Sequence, residues 1–457
     1  MNHIIIFEVV TLILLFILFS KFKFERKFIC LIFTEISIYL PLNEQDYNNL
    51  LQIKKDKTQR AMGLVRSCNL DEYTQKTTEN KYFDFKFIVL FYLILLSSTL
   101  LNETRNIFYF ITQKSQAHLL LEPNTNESTF NITSSFLFIS LTYFIYSMLR
   151  KHIFHKGIWN ALTKPFFISF TVATSLFIAL ETFAPQLLNI NYTSTNEIIN
   201  NRINSLVHQI KVELNNNNNV ITASNTNICN ILYIKILFAI VFGVFVGVLY
   251  QPCIQLCKFD YSLLSKYETQ DNTYGFNLNK IGVVIKIKNI LNMLIMFILL
   301  EPLFKTLLPN ITINKKIYFI TLLITLCIEF ICNVYAYWYY SFVYSMCVYG
   351  EIMKLNANPT KQNFLITSMN VKYLNMRFWE VALYAFYLVF FPILIAVSFA
   401  SQSGLYSPGE EMKHFFFQNL LYVILLAIAV GKCMISSGYL YYKLFMKQKS
   451  KLEDIYQ

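Results

Sequence analysis

The residue whose type most strongly suggests chemistry is Arg377, at the start of an apolar run that extends to Ala400. An arginine inside a membrane-length helix costs roughly 2.5–3.5 kcal/mol, so such a residue is a functional candidate. Because its guanidinium does not readily lose a proton, it can separate two proton paths and favour the ionised form of a nearby carboxylate. The structural alternative is an arginine whose head reaches the membrane interface, or one that pairs with Glu380.

A second polar group follows in the next apolar segment, where Glu411 and Gln418 lie seven residues, or two helical turns, apart. This spacing puts both side chains on one face of a helix. A titratable carboxylate at the mouth of a helix, followed by an orienting amide two turns deeper, suits a proton uptake path. The alternative is that Glu411 is a first-turn acid favoured by the helix dipole and Gln418 a polar helix contact.

Composition indicates the kind of protein that positions these residues. Of the 457 residues, 55% are hydrophobic and only 14% are charged, with a mean hydropathy of +0.43. A soluble protein carries about 25% charged residues, and here the apolar residues are grouped in blocks. We therefore expect an all-α polytopic integral membrane protein. The abundance of Phe, Tyr, Ile and Asn is typical of an AT-rich genome and suggests an organelle genome.

The apolar blocks predict about nine hydrophobic helices, of which the last two form a long helical hairpin. The candidate spans are about 4–20, 87–101, 136–149, 166–186, 230–250, 289–308, 317–348, 374–400 and 412–432. The first stretch lacks the basic start and the small-residue cleavage site of a signal peptide. We therefore expect it to be a retained membrane anchor.

The distribution of charge predicts the topology. Basic loops alternate with loops poor in Lys and Arg, which under the positive-inside rule places the N-terminus outside and the C-terminus inside. The basic loops are 21–86, 150–165, 251–288, 349–373 and the C-terminal tail. Because these Lys and Arg residues lie beside apolar segments, they account for the net charge of +12 without a nucleic-acid partner.

Three regions follow from the spans and loops. The first, 1–86, is an anchor helix with a polar extramembrane extension. The second, 87–350, contains membrane helices joined by Asn-rich loops, and the third, 351–457, is the C-terminal hairpin that carries the proposed proton-translocation site.

Several other kinds of site are not supported. Haem carriers need histidine pairs inside membrane helices, whereas almost all of the six histidines lie in loops or flank apolar runs. The sequence has no P-loop, dinucleotide fingerprint, zinc-protease motif or nucleophile elbow. Cys253 and Cys257 have no matching second pair, so we expect buried thiols there rather than a zinc site. No cofactor and no metal is expected.

Five further acids lie in or beside apolar runs: Glu8, Glu35, Glu181, Glu301 and Glu329. Glu301, which precedes Pro302, and Glu329 are candidates to line a proton half-channel. Glu8 is expected at an intersubunit or lipid interface. For each of these acids the alternative is an interhelical hydrogen bond.

The last fifth of the chain resembles the a subunit of rotary ATP synthases. In that family an essential Arg on the penultimate helix faces the c-ring carboxylate, and a Gln lies on the last helix. Here Gln418 follows Arg377 by 41 residues, which is close to the family spacing. Mitochondrial members also have a Glu seven residues before that Gln, where this chain has Glu411.

The chain departs from the family after the arginine. Phe378, Trp379 and Glu380 stand where small residues or Asn are usual, and Phe386 stands where mitochondrial members have a His. The resemblance therefore implies a proton path rerouted through Glu380, Tyr384 or His414.

The resemblance implies a stator a subunit of a mitochondrial ATP synthase. Such a protein is a multi-pass component of the inner mitochondrial membrane that conducts protons through two half-channels and is not itself catalytic. The partners implied are the c-ring, other stator and membrane subunits, and lipids. No cofactor is implied.

Two alternatives remain open on the sequence. One is a pumping or accessory subunit of a respiratory-chain complex. A pumping subunit should have a mid-span Lys with a partner Glu and a Pro-broken helix, whereas Lys235 lies near a span start and the Pro302 break lacks a companion. The other is a multi-span receptor, for which Asn-x-Ser/Thr triplets in the outer loops would be glycosylation sites.

Overall fold

The computed structural model describes residues 2–33, 37–41, 65–76, 80–115, 137, 139–143, 145–146, 165–188, 190–214, 230–268, 278–300, 317–336, 361–402 and 415–456. The elements used below are α1 (Asn2–Phe22), α2 (Phe24–Ile32), β1 (Ser37–Pro41), β2 (Val65–Asn69), α3 (Leu70–Lys76), α4 (Asn80–Ser115), α5 (Pro165–Phe183), α6 (Tyr192–Leu214), α7 (Ile231–Glu268), α8 (Leu278–Leu299), α9 (Ile317–Ala336), α10 (Lys361–Val389), α11 (Phe391–Gln402) and α12 (Phe415–Tyr456). A short 3-10 helix, Pro185–Leu187, follows α5.

Six helices in these ranges are long and apolar enough to cross a membrane core of about 30 Å. Their apolar segments are Tyr82–Leu101, Pro165–Phe183, Ile231–Ile254, Gly282–Leu299, Ile317–Ala336 and Gln418–Tyr442. Helices satisfy their own backbone hydrogen bonds, which lipid cannot do for them. The structure thus confirms the all-α, multi-pass membrane class. The count of nine spans and the long C-terminal hairpin stay predictions.

Helix α12 forms the centre of the bundle. Of its apolar segment, 72% is buried inside the chain, compared with 22% of the segment in α5. Helix α12 packs along α7, α8 and α11, while α5 packs along α7. Other helices therefore surround the polar groups on α12 and shield them from lipid.

Glycines on α7 and α12 allow these helices to approach their neighbours closely. A Cβ added at Gly243 would lie 2.0 Å from Thr174 Oγ1, and one at Gly247 would lie 3.0 Å from the Phe166 ring, both on α5. On α12, a Cβ at Gly438 would lie 2.9 Å from Cys257 Sγ on α7. Small residues at membrane helix interfaces permit this backbone proximity.

The N-terminal region forms a small unit that docks on α10. Strands β1 and β2 pair antiparallel, an element that the all-α prediction did not include. The Asn375 amide on α10 donates to the Tyr39 carbonyl at 3.1 Å, and the Trp379 indole donates to Tyr73 Oη at 3.1 Å. Trp379 is fully buried among aromatic rings of α3 and α4. The N-terminal unit therefore fixes the segment of α10 that contains residue 377.

The observed helices differ from the predicted spans at one helix break and at the positions of two lysines. The predicted span 374–400 is divided at Phe390, because Pro392 in the first turn of α11 cannot donate a backbone hydrogen bond. Lys288, which the sequence analysis placed in a basic loop, lies within the apolar segment of α8. Lys432, at the predicted end of the last span, lies well inside the apolar segment of α12. Both corrections bring a charged side chain into membrane depth.

Candidate functional site

The structure describes only part of the site predicted from the sequence. The backbone at Arg377, Glu380 and Tyr384 is helical and belongs to α10, but their side chains lie outside the part that the structure describes. Glu411 and His414 lie outside the described residues altogether. Of the six predicted residues, Gln418 is the one whose side chain the structure places.

The helices that carry Arg377 and Gln418 run antiparallel. Ala385 of α10 and Lys432 of α12 line the same cavity, and further along, Phe399 of α11 contacts Tyr422 of α12 with ring centroids 6.0 Å apart. The backbone at Arg377 lies eight residues before Ala385, whereas Gln418 lies 14 residues before Lys432. At 1.5 Å per residue the two positions are separated by about 30 Å along the bundle, nearly the thickness of a membrane core.

Gln418 lies at the start of α12. Its side chain is half-buried, and its Oε1 atom is buried without a hydrogen-bond partner among the described residues. The neighbouring Asn419 amide donates to Thr195 Oγ1 at 2.8 Å and to the Asn191 carbonyl at 3.2 Å. The polar residues at this end of α12 therefore meet the start of α6 rather than the segment of α10 around residue 377.

An ion pair that the sequence analysis did not predict lies deep in the bundle. Lys432 Nζ on α12 donates to Glu329 Oε2 on α9 at 2.6 Å, and both side chains are almost fully buried. The Asn333 amide, one turn further along α9, donates to Glu329 Oε1 and to the Glu329 carbonyl. The Glu329 carboxylate is thus held by an ammonium group and an amide, which fixes its orientation.

A second buried ion pair lies between α7 and α8. Lys288 Nζ donates to Asp260 Oδ2 at 2.6 Å, and the Asp260 side chain is completely buried. Asp260 Oδ1 has no partner among the described residues. Asp260 lies beyond Ile254, the end of the apolar segment of α7, so this pair is nearer to the face that the basic loops predict to be inside.

Amide and hydroxyl groups line the contact between α8 and α12. Ser436 Oγ donates to Asn289 Oδ1 at 3.1 Å and accepts from Asn292 Nδ2 at 3.1 Å. Asn292 Oδ1 and Asn289 Nδ2 are left buried and without partners in the described part of the chain. These free positions are places where a water molecule can bond.

A small cavity lies between the Lys432–Glu329 pair and Lys288 of the second pair. Its polar lining consists of Lys288, Asn292, Glu329, Asn333 and Lys432, with apolar side chains of α7, α10 and α12 completing the wall. About 20 Å³ is open to the centre of a water-sized sphere, which suffices for one water molecule. A water there would be within reach of both lysines, because both line the same small space.

Burial controls the electrostatics of this cluster. Moving an isolated charge out of water costs several kcal/mol, and a partner charge recovers that energy only with good geometry. Burial also raises the pKa of the Asp260 carboxyl, although Lys288 opposes part of that rise. A carboxyl in this setting holds a proton more readily than an exposed aspartate does. Asp260 is therefore the member of the cluster whose surroundings favour binding a proton.

One weak signal for this cluster is present in the sequence. Glu329 lies in an apolar run, but no nearby residue in the sequence indicates its partner. Lys432 is followed by Cys433, Met434 and Ile435, so extending the last apolar run past Gly431 would have placed it mid-span. Asp260 has no such signal, because only the contact between α7 and α8 buries it.

Comparisons with known proteins give no family assignment: the chain matches no protein-family model, no curated protein and no solved structure. Among the residues that the structure describes, no group of three or more His, Cys, Asp or Glu side chains is arranged to hold a metal ion.

Proposed function

We propose that this chain is a proton-translocating membrane subunit of an energy-transducing complex, and that protons pass through the Lys432–Glu329 pair. The observation that carries the proposal is this buried pair at membrane depth, which shares a water-sized cavity with Lys288 of a second buried pair. Ionisable residues inside membrane segments are rare and mark ion or proton paths.

The chemistry of the path follows from the groups that line the cavity. A lysine changes protonation state readily when buried, and a carboxylate beside it accepts or returns the proton. A water in the cavity can bond to the free Asn292 Oδ1 and link Glu329 to Lys288. Asp260 then lies at the end of the path on the side predicted to be inside.

The test is proton translocation in native membrane vesicles that contain the whole complex. Replacing both members of the pair, Lys432→Met with Glu329→Gln, removes the proton-binding groups without leaving one charge unpaired. We expect at least a roughly tenfold loss of translocation, since a general acid–base group contributes about 10²–10⁴-fold. Quenching of a pH-sensitive dye measures the rate.

Matched controls carry the same substitutions at exposed positions. Lys372→Met on α10 and Glu197→Gln on α6 change exposed side chains and should leave the rate unchanged. If the double variant assembles normally and translocates protons at the original rate, the pair has only a structural role and the proposal is wrong.

The first specific form of this function is the stator a subunit of a mitochondrial ATP synthase, with the c-ring and other stator subunits as partners. It is supported by the sequence spacing of Arg377, Glu411 and Gln418 alone, because the antiparallel helices place residue 377 and Gln418 about 30 Å apart along the bundle. The C-terminal hairpin, the nine spans and the inner mitochondrial membrane belong to this proposal. Arg377→Ala should abolish proton-driven ATP synthesis, and retained coupling would contradict it.

The second form is a pumping subunit of a respiratory-chain complex, and one observation favours it. The signature expected of such a subunit is a mid-span lysine with a glutamate partner, and Lys432 and Glu329 have this arrangement. The interior of α7 also contains Pro252, which interrupts the backbone hydrogen bonds of that helix.

A native gel of organelle membranes separates the two forms. Co-migration with a c-ring supports the stator, and co-migration with an electron-transfer complex supports the pump. Migration with neither would contradict the proposed class and favour a receptor, which glycosidase sensitivity would then support.

A further inference from the structure

A second titratable group lies at the opposite end of the bundle from Asp260, and the proposed path does not use it. Glu181 on α5 is only 5% exposed, and its Oε1 atom has no hydrogen-bond partner among the described residues. It lies on the buried face of α5, with Ala173 and Phe177, which packs against α7. A carboxyl buried with an open oxygen needs either a partner or a proton.

The charged side chain that acts on Glu181 is Lys235 on α7. Its ammonium attracts the carboxylate, and it also lies over the ring of Tyr192 on α6, with Nζ 5.1 Å from the ring centroid. Tyr192 Oη is itself buried without a partner in the described ranges. We call Glu181, Tyr192 and Lys235 the outer cluster, because the basic loops predict this end of the bundle to face outside.

The outer cluster is close to the aqueous boundary. Thr195, one turn after Tyr192 on α6, accepts the hydrogen bond from Asn419 at the start of α12. Asn191 and Thr193, on the same stretch of chain, are exposed, and Lys235 is only partly buried. Water can therefore reach Lys235 at this face, while Glu181 lies behind it.

An apolar layer separates the outer cluster from the Lys432–Glu329 pair. Residues 420–431 of α12 include no charged side chain, and residues Leu421–Ala429 are all buried. Within this layer Tyr422 donates its hydroxyl to the Leu299 carbonyl at 2.9 Å. From Asn419 to Lys432 the layer is about 20 Å thick along the helix axis. The two polar regions are therefore separate sites.

We infer that Glu181 is a second proton-binding site, loaded from the face at which α5 ends and α6, α7 and α12 begin, and that Lys235 holds it ready for exchange. This inference rests on the proposed proton-translocating function. It adds a site on the outer side, whereas the two ion pairs form the site on the inner side.

The first experiment needs no variant. Native membranes containing the intact complex are treated with dicyclohexylcarbodiimide, which adds to protonated carboxyls in apolar surroundings, and the modified residue is identified by mass spectrometry. We expect modification at Glu181 that decreases as the pH is raised, because the carboxyl must hold a proton to react. No modification of Glu181 at any pH, with the exposed Glu197 equally unmodified, would overturn the inference.

The second experiment measures proton translocation. Glu181→Gln should reduce the rate at least tenfold and Glu181→Asp should retain part of it, while the exposed control Glu197→Gln should have no effect. Exchanging the charges, Glu181→Lys with Lys235→Glu, keeps two opposite charges but moves the carboxyl to α7. We expect the translocation rate of this exchanged variant to stay as low as that of Glu181→Gln. A rate equal to that of the unchanged protein would mean that the two groups form only a structural pair.

The two proposals fail in different ways. If Lys432→Met with Glu329→Gln abolishes translocation and Glu181→Gln does not reduce it, the outer site is wrong and the proposed function stands. If neither change affects translocation, both are wrong.

Discussion

At the scale of single residues, Lys432 and Glu329 illustrate why a buried charge must be treated together with its partner. Each side chain alone would be an uncompensated charge inside the bundle, whereas together they are 2.6 Å apart and nearly inaccessible to solvent. Breaking a buried pair by removing one member costs about 3–5 kcal/mol, but replacing both with apolar residues is often neutral.

This asymmetry gives a prediction about stability. Lys432→Met alone should strongly lower the thermal stability of the purified protein, because the Glu329 carboxylate then keeps, among the described residues, only the hydrogen bond from the Asn333 amide. Lys432→Met combined with Glu329→Leu should restore most of it while leaving translocation abolished. Melting curves of the detergent-solubilised protein measure the stability of both variants. Equal stability of the single and double variants would contradict the prediction.

At the scale of the elements, the contact between α5 and α7 depends on the absence of a side chain at Gly243. Thr174 Oγ1, which would lie 2.0 Å from an added Cβ, also donates to the Phe170 carbonyl at 2.8 Å. That carbonyl would itself lie 3.1 Å from the added atom. Adding a methyl group therefore either breaks a hydrogen bond or separates two helices.

We expect Gly243→Ala to destabilise the protein by about 1–3 kcal/mol, the usual range for overpacking. Gly431→Ala is the matched control, because its nearest neighbour is Cys253 Sγ at 3.3 Å, which needs only a small shift. Adding Thr174→Ala to Gly243→Ala should recover part of the loss. Unchanged melting of Gly243→Ala would show that α5 and α7 are packed less closely than the structure indicates.

At the scale of the whole molecule, the buried charged groups lie toward opposite ends of the bundle, which the loops predict to be its inner and outer sides. The Lys288–Asp260 pair lies toward the face with basic loops, and the outer cluster lies toward the face whose loops are poor in Lys and Arg. The interior polar sites therefore lie at two levels, with the apolar layer of α12 between them.

The topology can be tested with engineered cysteines in sealed native membranes that contain the protein. A cysteine replacing Asn216, in a loop predicted outside, should react with a membrane-impermeant maleimide. One replacing Lys156, in a basic loop, should react only after permeabilisation, because lysine-rich loops are retained inside. The reverse pattern would exchange the two faces, and the outer cluster would then face the inside.

The sequence by itself determined the membrane class, because apolar blocks of membrane length cannot remain in water. The starts predicted from the sequence for α5, α7 and α9 are within a few residues of the observed ones. The sequence also identified Glu329 and Glu181 as acids in apolar runs. These features depend on local composition, so a short window of the sequence is enough to show them.

The tertiary structure decided which charges are paired. Lys432 and Glu329 are 103 residues apart, and Lys288 and Asp260 are 28 apart, so no local pattern relates them. An unpaired lysine ends a predicted span because its burial is too costly, but a carboxylate on a neighbouring helix removes most of that cost. The structure likewise set residue 377 and Gln418 far apart, because antiparallel helices bring close only positions equally far from their connection.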